Sequence, residues 1–402
     1  MRKVVSIAFA VMAAAVCVTP AWADGPGVGT PAVVSIGDSA ISGEAGRWAG
    51  NTNGSPNNVD ALGSTAYYDA GNAEAIHGCH RSKSSEIGIG IAGDVLSANL
   101  ACSGARTYTQ AFSSGSDFKP GLDFYDDGAG HIGQAKALQQ YAATHNVRMV
   151  VVLIGANDYG FADIVQQCVL DWLTSPSWWK NFCNDDSSMT SKFTGSNIAT
   201  ITTRVKNALL NLRTAMNNAG YASVPWTLMA QTYSSPIPRG SGFRYAESGF
   251  TRQTVGGCGT WNADANWAND TVVNTLNSTL RNGMSQAIAA GMANIKLFDA
   301  QNALVGHRLC ENTDGLLEEQ GLAGWRSPGA ADRTEWVSQI RTTTTLFGHY
   351  QLQEDAHPSY WGQLALRNCL RQAYNAGAPR AGACTRTTTG LNAQSEPNMS
   401  FG

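Results

Sequence analysis

Residues able to carry acyl-transfer chemistry fall in four short stretches, and the first is Val33-Val34-Ser35-Ile36-Gly37-Asp38-Ser39. A serine hydroxyl becomes a useful nucleophile only when a base takes its proton, a partner orients that base, and donors await the oxyanion. The β-branched run before Gly37 fits a buried strand, and Gly37 can take backbone angles that a residue with a Cβ resists, so the strand turns there. Ser39 would then stand at the strand's C-terminal end, beside the first N–H groups of a helix, where open α/β sheets bind ligands. Gly-Asp-Ser alone also serves as an ordinary turn or helix N-cap.

Three further stretches supply partners. Asn99-Leu100-Ala101-Cys102-Ser103-Gly104-Ala105 is a strand end meeting a small-residue turn, where Gly104 allows backbone to approach a ligand. Gly155-Ala156-Asn157-Asp158 closes the β-branched run Val147 to Ile154. Gln353-Glu354-Asp355-Ala356-His357-Pro358 opens the last helix, read as Gln363 to Tyr374. Ser39 is the candidate nucleophile and His357 the candidate base. The Ser39 and Gly104 N–H groups and the Asn157 amide are the candidate oxyanion donors.

The elements that must position them alternate. A helix over Gln134 to His145 precedes the strand ending at Ile154, and a second helix, Ile198 to Asn218, precedes a strand at Trp226 to Ala230. A helix around Val272 to Ala290 and a strand at Ile295 to Asp299 continue the series. This predicts an α/β fold with a doubly wound, mostly parallel sheet. Gly43 to Ser85 lacks periodicity and reads as a long ordered loop over the Ser39 edge, tethered by Cys79. Residues 233–345 break the pattern, and part of this stretch reads as an insertion over the same edge. Residues 385–402 read as a frayed, flexible tail.

Composition narrows the setting. Charged residues make up 14% of 402, low for a globular chain, and hydrophobic residues 43%. Met1-Arg2-Lys3, an apolar run to Val18 and Ala21-Trp22-Ala23 match a secretory signal over residues 1–23, too short in its apolar part for a membrane span. Losing Arg2 and Lys3 from 27 basic residues against 30 acidic ones leaves a net charge of −5, which disfavours nucleic acid. A monomer without cofactor or metal is expected. Of nine cysteines Cys17 leaves with the signal; the other eight suit an oxidising compartment, and their order suggests pairing of neighbours: Cys79 with Cys102, Cys168 with Cys183, Cys258 with Cys310, and Cys369 with Cys384. A zinc site is the alternative, without the short spacing it favours. Asp126-Asp127 and Asp185-Asp186 lack an ordered calcium-ligand series and read as solvated turns. His77, His80, His131, His145, His307 and His349 read as loop or core residues. Trp48, Trp178, Trp179, Trp261 and Trp267 are candidates to line an acyl or sugar groove.

Taken together, Gly37-Asp38-Ser39, Gly104, Gly155-Ala156-Asn157-Asp158 and His357-Pro358 resemble the four ordered blocks of the GDSL or SGNH hydrolase family. Cys79-His80-Arg81-Ser82 and Asn99 to Gly104 are similar to its secreted actinobacterial esterase, phospholipase and lipase branch, in which those two cysteines form a disulfide. The resemblance spans Pro31 to about Tyr374 within a single domain of residues 24–384, and implies a flavodoxin-like three-layer sandwich and serine ester hydrolysis without a cofactor. Many members carry an aspartate three residues before the histidine; here Glu354 stands there and Asp355 lies two before. The Glu354 side chain, the Asp355 side chain and a backbone carbonyl all stay open as the group that orients His357. Lipid or medium to long acyl esters are the favoured substrates, with polysaccharide deacetylation and a non-catalytic binding module as competing readings.

Overall fold

The computed structural model describes residues 24–110, 118–341 and 349–402. The expected signal segment, residues 1–23, lies outside them. A seven-stranded sheet organises the chain: β1 (Pro31–Gly37), β2 (Leu96–Asn99), β3 (Asn146–Leu153), β4 (Thr227–Gln231), β5 (Ile295–Asp299), β6 (Gly382–Leu391) and β7 (Pro397–Phe401), in the order β2-β1-β3-β4-β5-β6-β7. All neighbours run parallel except β6 and β7.

The β-branched runs form the centre of the sheet because strands covered on both faces need side chains that pack on either side. Val33, Val34, Ile36, Val147 and Met149 to Val152 are fully buried. The connecting helices are α1 (Ser39–Ser42), α2 (Gln134–Ala142), α3 (Phe161–Thr174), α4 (Gly195–Met216), α5 (Asn274–Ala289) and α6 (Tyr360–Tyr374). α4 packs on α2 and α5, and α6 packs on β6 and β7. Helix α6 starts at Tyr360, three residues ahead of its expected start.

The chain leaves β1 toward β2 on one side and toward β3 on the other. The crevice between the C-terminal ends of β1 and β3 is therefore the topological switch point, where such sheets bind ligands. Ser39 and Asn157 follow those two strand ends.

Within residues 233–345, α5 and β5 belong to the sheet layers, and helical turns over 262–273 lead directly into α5. One expectation changes: the tail is not frayed. Residues 382–391 and 397–401 pair as an antiparallel hairpin on the sheet edge, with Phe401 stacked on Phe298 at 5.0 Å. The threonine run 387–389 that reads as polar tail is β-branched, which suits a strand once Met399 and Phe401 have a buried face to enter. All four neighbouring cysteine pairs are disulfides.

Candidate active site

Gly37 ends β1 at φ +140°, and a Cβ there would lie 1.9 Å from the Leu153 carbonyl oxygen. Only glycine fits so close to β3. The Gly37 carbonyl accepts from the Cys102 N–H (3.0 Å) and from Gln134 Nε2 (2.9 Å), and its N–H donates to Gln134 Oε1 (2.7 Å). Asp38 caps α1 through the Ala40 N–H (3.2 Å) and accepts from the Tyr233 hydroxyl (2.5 Å). Burial raises the Asp38 carboxyl to about 7 despite those donors. Tyr233 also accepts from the Ala156 N–H (3.0 Å), so one phenol joins the Ser39 turn to the Asn157 turn.

Ser39 is the first residue of α1, and its Oγ lies 2.6 Å from Nε2 of His357. His357 Nδ1 lies 2.9 Å from the backbone carbonyl of Asp355. A carbonyl only accepts, so the Nδ1 position carries the proton and Nε2 presents a lone pair to the hydroxyl. Burial holds the imidazole below its ordinary value, with Glu44 pulling the other way.

The carbonyl alternative is thus the one that meets the ring, and neither acidic side chain does. Glu354 is buried and accepts from the Tyr67 hydroxyl (2.5 Å) and the Gln351 N–H (2.9 Å). Asp355 Oδ2 accepts from the Arg341 N–H (3.1 Å), and burial raises this carboxyl to about 8 against the pull of Arg341. The φ of +61° at Ala356 turns the chain so that the preceding carbonyl, not a side chain, faces the imidazole.

Asn157 donates from Nδ2 to the Ala105 carbonyl (2.9 Å), while Asp158 accepts from the Thr107 N–H (3.0 Å) and hydroxyl (2.6 Å). These bonds fasten the Gly104 loop to the end of β3. Gly104 has φ +79° and sits two residues past Cys102, whose N–H reaches Gly37. Among the described residues, neither the Ser39 nor the Gly104 N–H has a protein acceptor.

Ser39, Asn157 and His357 line one cavity of about 720 Å³; Gly104 lies outside its lining. One wall is a stripe of α3, Phe161, Val165, Val169 and Leu173, spaced one turn apart; Pro236, Val273, Leu276 and Ile340 complete an apolar interior. A smaller apolar chamber of about 60 Å³ adjoins it, sharing Val165, Val169 and Val273. The α3 stripe carries a sequence signal, four apolar residues at four-residue spacing just after Asn157, which reads as ordinary core. None of the five candidate tryptophans lines the cavity. Trp48 packs on Tyr350, Trp261 is buried beside Trp172, and Trp178 and Trp179 are 82% and 74% exposed. His307 stacks on Trp336 in the core. Among the described residues no group of three or more His, Cys, Asp or Glu is arranged to hold a metal ion.

No protein-family model matches the chain, and no curated protein matches it. Solved structures do. An extracellular lipase from Streptomyces rimosus aligns at 15% identity and a TM-score of 0.41, covering 83% of this chain and 94% of the lipase. Phospholipase A1 from Streptomyces albidoflavus aligns at 18% identity and 0.40, covering 83% and 95%. A family two carbohydrate esterase from Clostridium thermocellum aligns at 11% and 0.35, covering 86% and 63%. At such scores the likeness carries no inference about substrate, and the side chains of the site have to supply it.

Proposed function

We propose that the chain is a serine ester hydrolase of the SGNH type that cleaves carboxylic esters of medium or long acyl chains. The observation that carries this is the 2.6 Å contact between Ser39 Oγ and His357 Nε2, at the wall of a large apolar cavity. His357 takes the Ser39 proton as Oγ attacks the ester carbonyl, and the Asp355 carbonyl holds the imidazolium that forms. The oxyanion is met by the Ser39 and Gly104 N–H groups and the Asn157 amide. Proton return from His357 releases the alcohol, and water then repeats the sequence on the acyl-serine. Loss of residues 1–23 and export suit the four disulfides, and among the described residues no helix is long and apolar enough to cross a membrane.

The cavity supports acyl chains over sugar polymers, since its walls are mostly apolar, with Val165, Val169, Leu173, Leu276 and Ile340 beside Phe161 and Tyr233, and no tryptophan stands in them. Each CH₂ buried adds about 0.8 kcal/mol, roughly fourfold, so kcat/KM on p-nitrophenyl esters should climb from acetate through butyrate to octanoate. A profile peaking at acetate with acetate release from acetylated xylan would replace the acyl reading with polysaccharide deacetylation. Ser39→Ala with activity near wild type would remove the hydrolase assignment altogether.

A further inference from the structure

Behind the Ser39–His357 pair runs a chain of buried contacts that the hydrolytic steps do not use. Glu44, fully buried on the turn after α1, donates its N–H to the Ser39 carbonyl (3.1 Å) and sets Oε1 2.6 Å from Nδ1 of His80. The His80 carbonyl accepts from the Ser42 hydroxyl of α1 (3.3 Å), and its N–H donates to Glu74 (3.0 Å). His80 has φ +49°, a backbone conformation that a residue with a Cβ keeps only when its surroundings enforce it. Its ring lies against Tyr67, with centroids 4.7 Å apart, and Tyr67 is the phenol that binds Glu354. Glu354 immediately precedes the carbonyl that holds His357. The contacts therefore close a loop, Ser39, Glu44, His80, Tyr67, Glu354, Asp355, His357, and back to Ser39.

Resting on the hydrolase reading, we propose that Glu44, His80 and Tyr67 are positioning residues, and that the Glu44 carboxylate is the buried negative charge that steadies the His357 imidazolium in place of an acid bonded to the ring. A carbonyl dipole orients the imidazole but brings no net charge, whereas the reaction makes His357 cationic. Glu44 from the turn after α1 and His80 from the loop before β2 act on His357 through their charges, the Gln353 and Asp355 backbone supports it from its own side, and Asp38 and Arg341 share its cavity. Burial opposes a charge on His80, and Glu44 with Glu74 overrides it, so His80 is held above its ordinary value. Glu44 and His80 consequently act on His357 with opposite sign.

That opposition gives the test. In Glu44→Gln, kcat should fall about tenfold with KM unchanged, the mark of an interaction gained in the transition state, and the acid limb of kcat/KM should move to lower pH. His80→Gln leaves the carboxylate uncompensated and should move the same limb to higher pH. Tyr67→Phe removes one hydroxyl and no charge, so kcat should drop with the limb in place. Limbs that move in the same direction, or not at all, in folded Glu44→Gln and His80→Gln overturn the proposal; if the first variant does not fold, the second decides alone by an upward shift or none. Ser39→Ala assayed in parallel separates the outcomes, because its inactivity upholds the hydrolase reading whatever the other variants do.

Discussion

The two halves of the Ser39–His357 pair are held in place by different means. Ser39 follows a central strand, and its turn is fixed where strand ends meet, by backbone bonds from the Asp38 N–H to the Leu153 carbonyl (3.1 Å) and from the Cys102 N–H to the Gly37 carbonyl (3.0 Å), with Gln134 clasping Gly37 and Tyr233 holding Asp38. His357 follows a long stretch with few regular elements, bound instead by side chains reaching across the fold. Asn51 donates to the Val337 carbonyl (2.7 Å) and accepts from the Gln339 N–H (3.1 Å), and Arg341 donates to the Ser338 hydroxyl (3.2 Å). The Ser338 N–H then donates to the His357 carbonyl (2.9 Å). The Ser39 turn is thus set at a strand end where an added Cβ would meet the Leu153 carbonyl oxygen, and the His357 segment by a side-chain network that reaches across the fold.

The sharpest break should come on the strand side. Gly37→Ala drives a methyl into the Leu153 carbonyl oxygen and should cost more than about 4 kcal/mol, read as a collapse of the unfolding midpoint in denaturant. Wild-type stability in the Gly37→Ala protein would show that the β1 end can yield. Next, Asn157→Ala should lower kcat by about 10²–10³ with the fold intact, as loss of one oxyanion donor does. A rise in KM alone would make Asn157 a ground-state binder. On the base side, Asn51→Ala should cost about 1–3 kcal/mol, the penalty for buried groups left unpaired, and leave a folded enzyme of reduced kcat. Unfolding as complete as that of Gly37→Ala would erase the contrast between the two sides.

Asp355→Asn should do least to turnover, because the carbonyl that meets His357 is unchanged. Its effect belongs to stability and has a definite sign. The carboxyl's value rises from 3.8 unfolded to about 8 folded, so native stability is lost as pH climbs through that window. An amide cannot ionise, so the variant's melting temperature should match wild type near pH 4 and exceed it increasingly toward pH 8. A kcat loss of several orders of magnitude would instead make the Asp355 carboxylate the orienting group.

Ser39, Asn157 and His357 are legible in the sequence because each stands beside a turn whose residue types are constrained, and the β-branched runs before Gly37 and Gly155 announce the strands. The contact at His357 Nδ1 is not legible, since a backbone carbonyl leaves no residue type behind and the acids at 354 and 355 draw attention to themselves. The α3 stripe reads as core because a ligand wall and a packing face share one periodicity. Met399 and Phe401 alternate with polar neighbours over only five residues, too short a run to mark a strand before its buried partner Phe298 is known. Glu44 and Tyr67 are invisible for the same reason, as their partners lie 36 and 287 residues away.

The cysteine pairing bears on how the protein is made. The four bridges join positions 23, 15, 52 and 15 residues apart, and no bridge interleaves with another. On the proposed export route, with Cys17 removed in the signal segment, a chain that meets an oxidant in N-to-C order would present Cys79 first, then Cys102, and could close one pair before Cys168 appears. At every stage the first free thiol to arrive is the native partner of the one already waiting. Wrong bonds would form only if oxidation lagged behind emergence, so thiol exchange to correct them is needed least when the oxidant is fast. A reduced chain refolded in bulk loses that ordering and faces all 105 pairings at once.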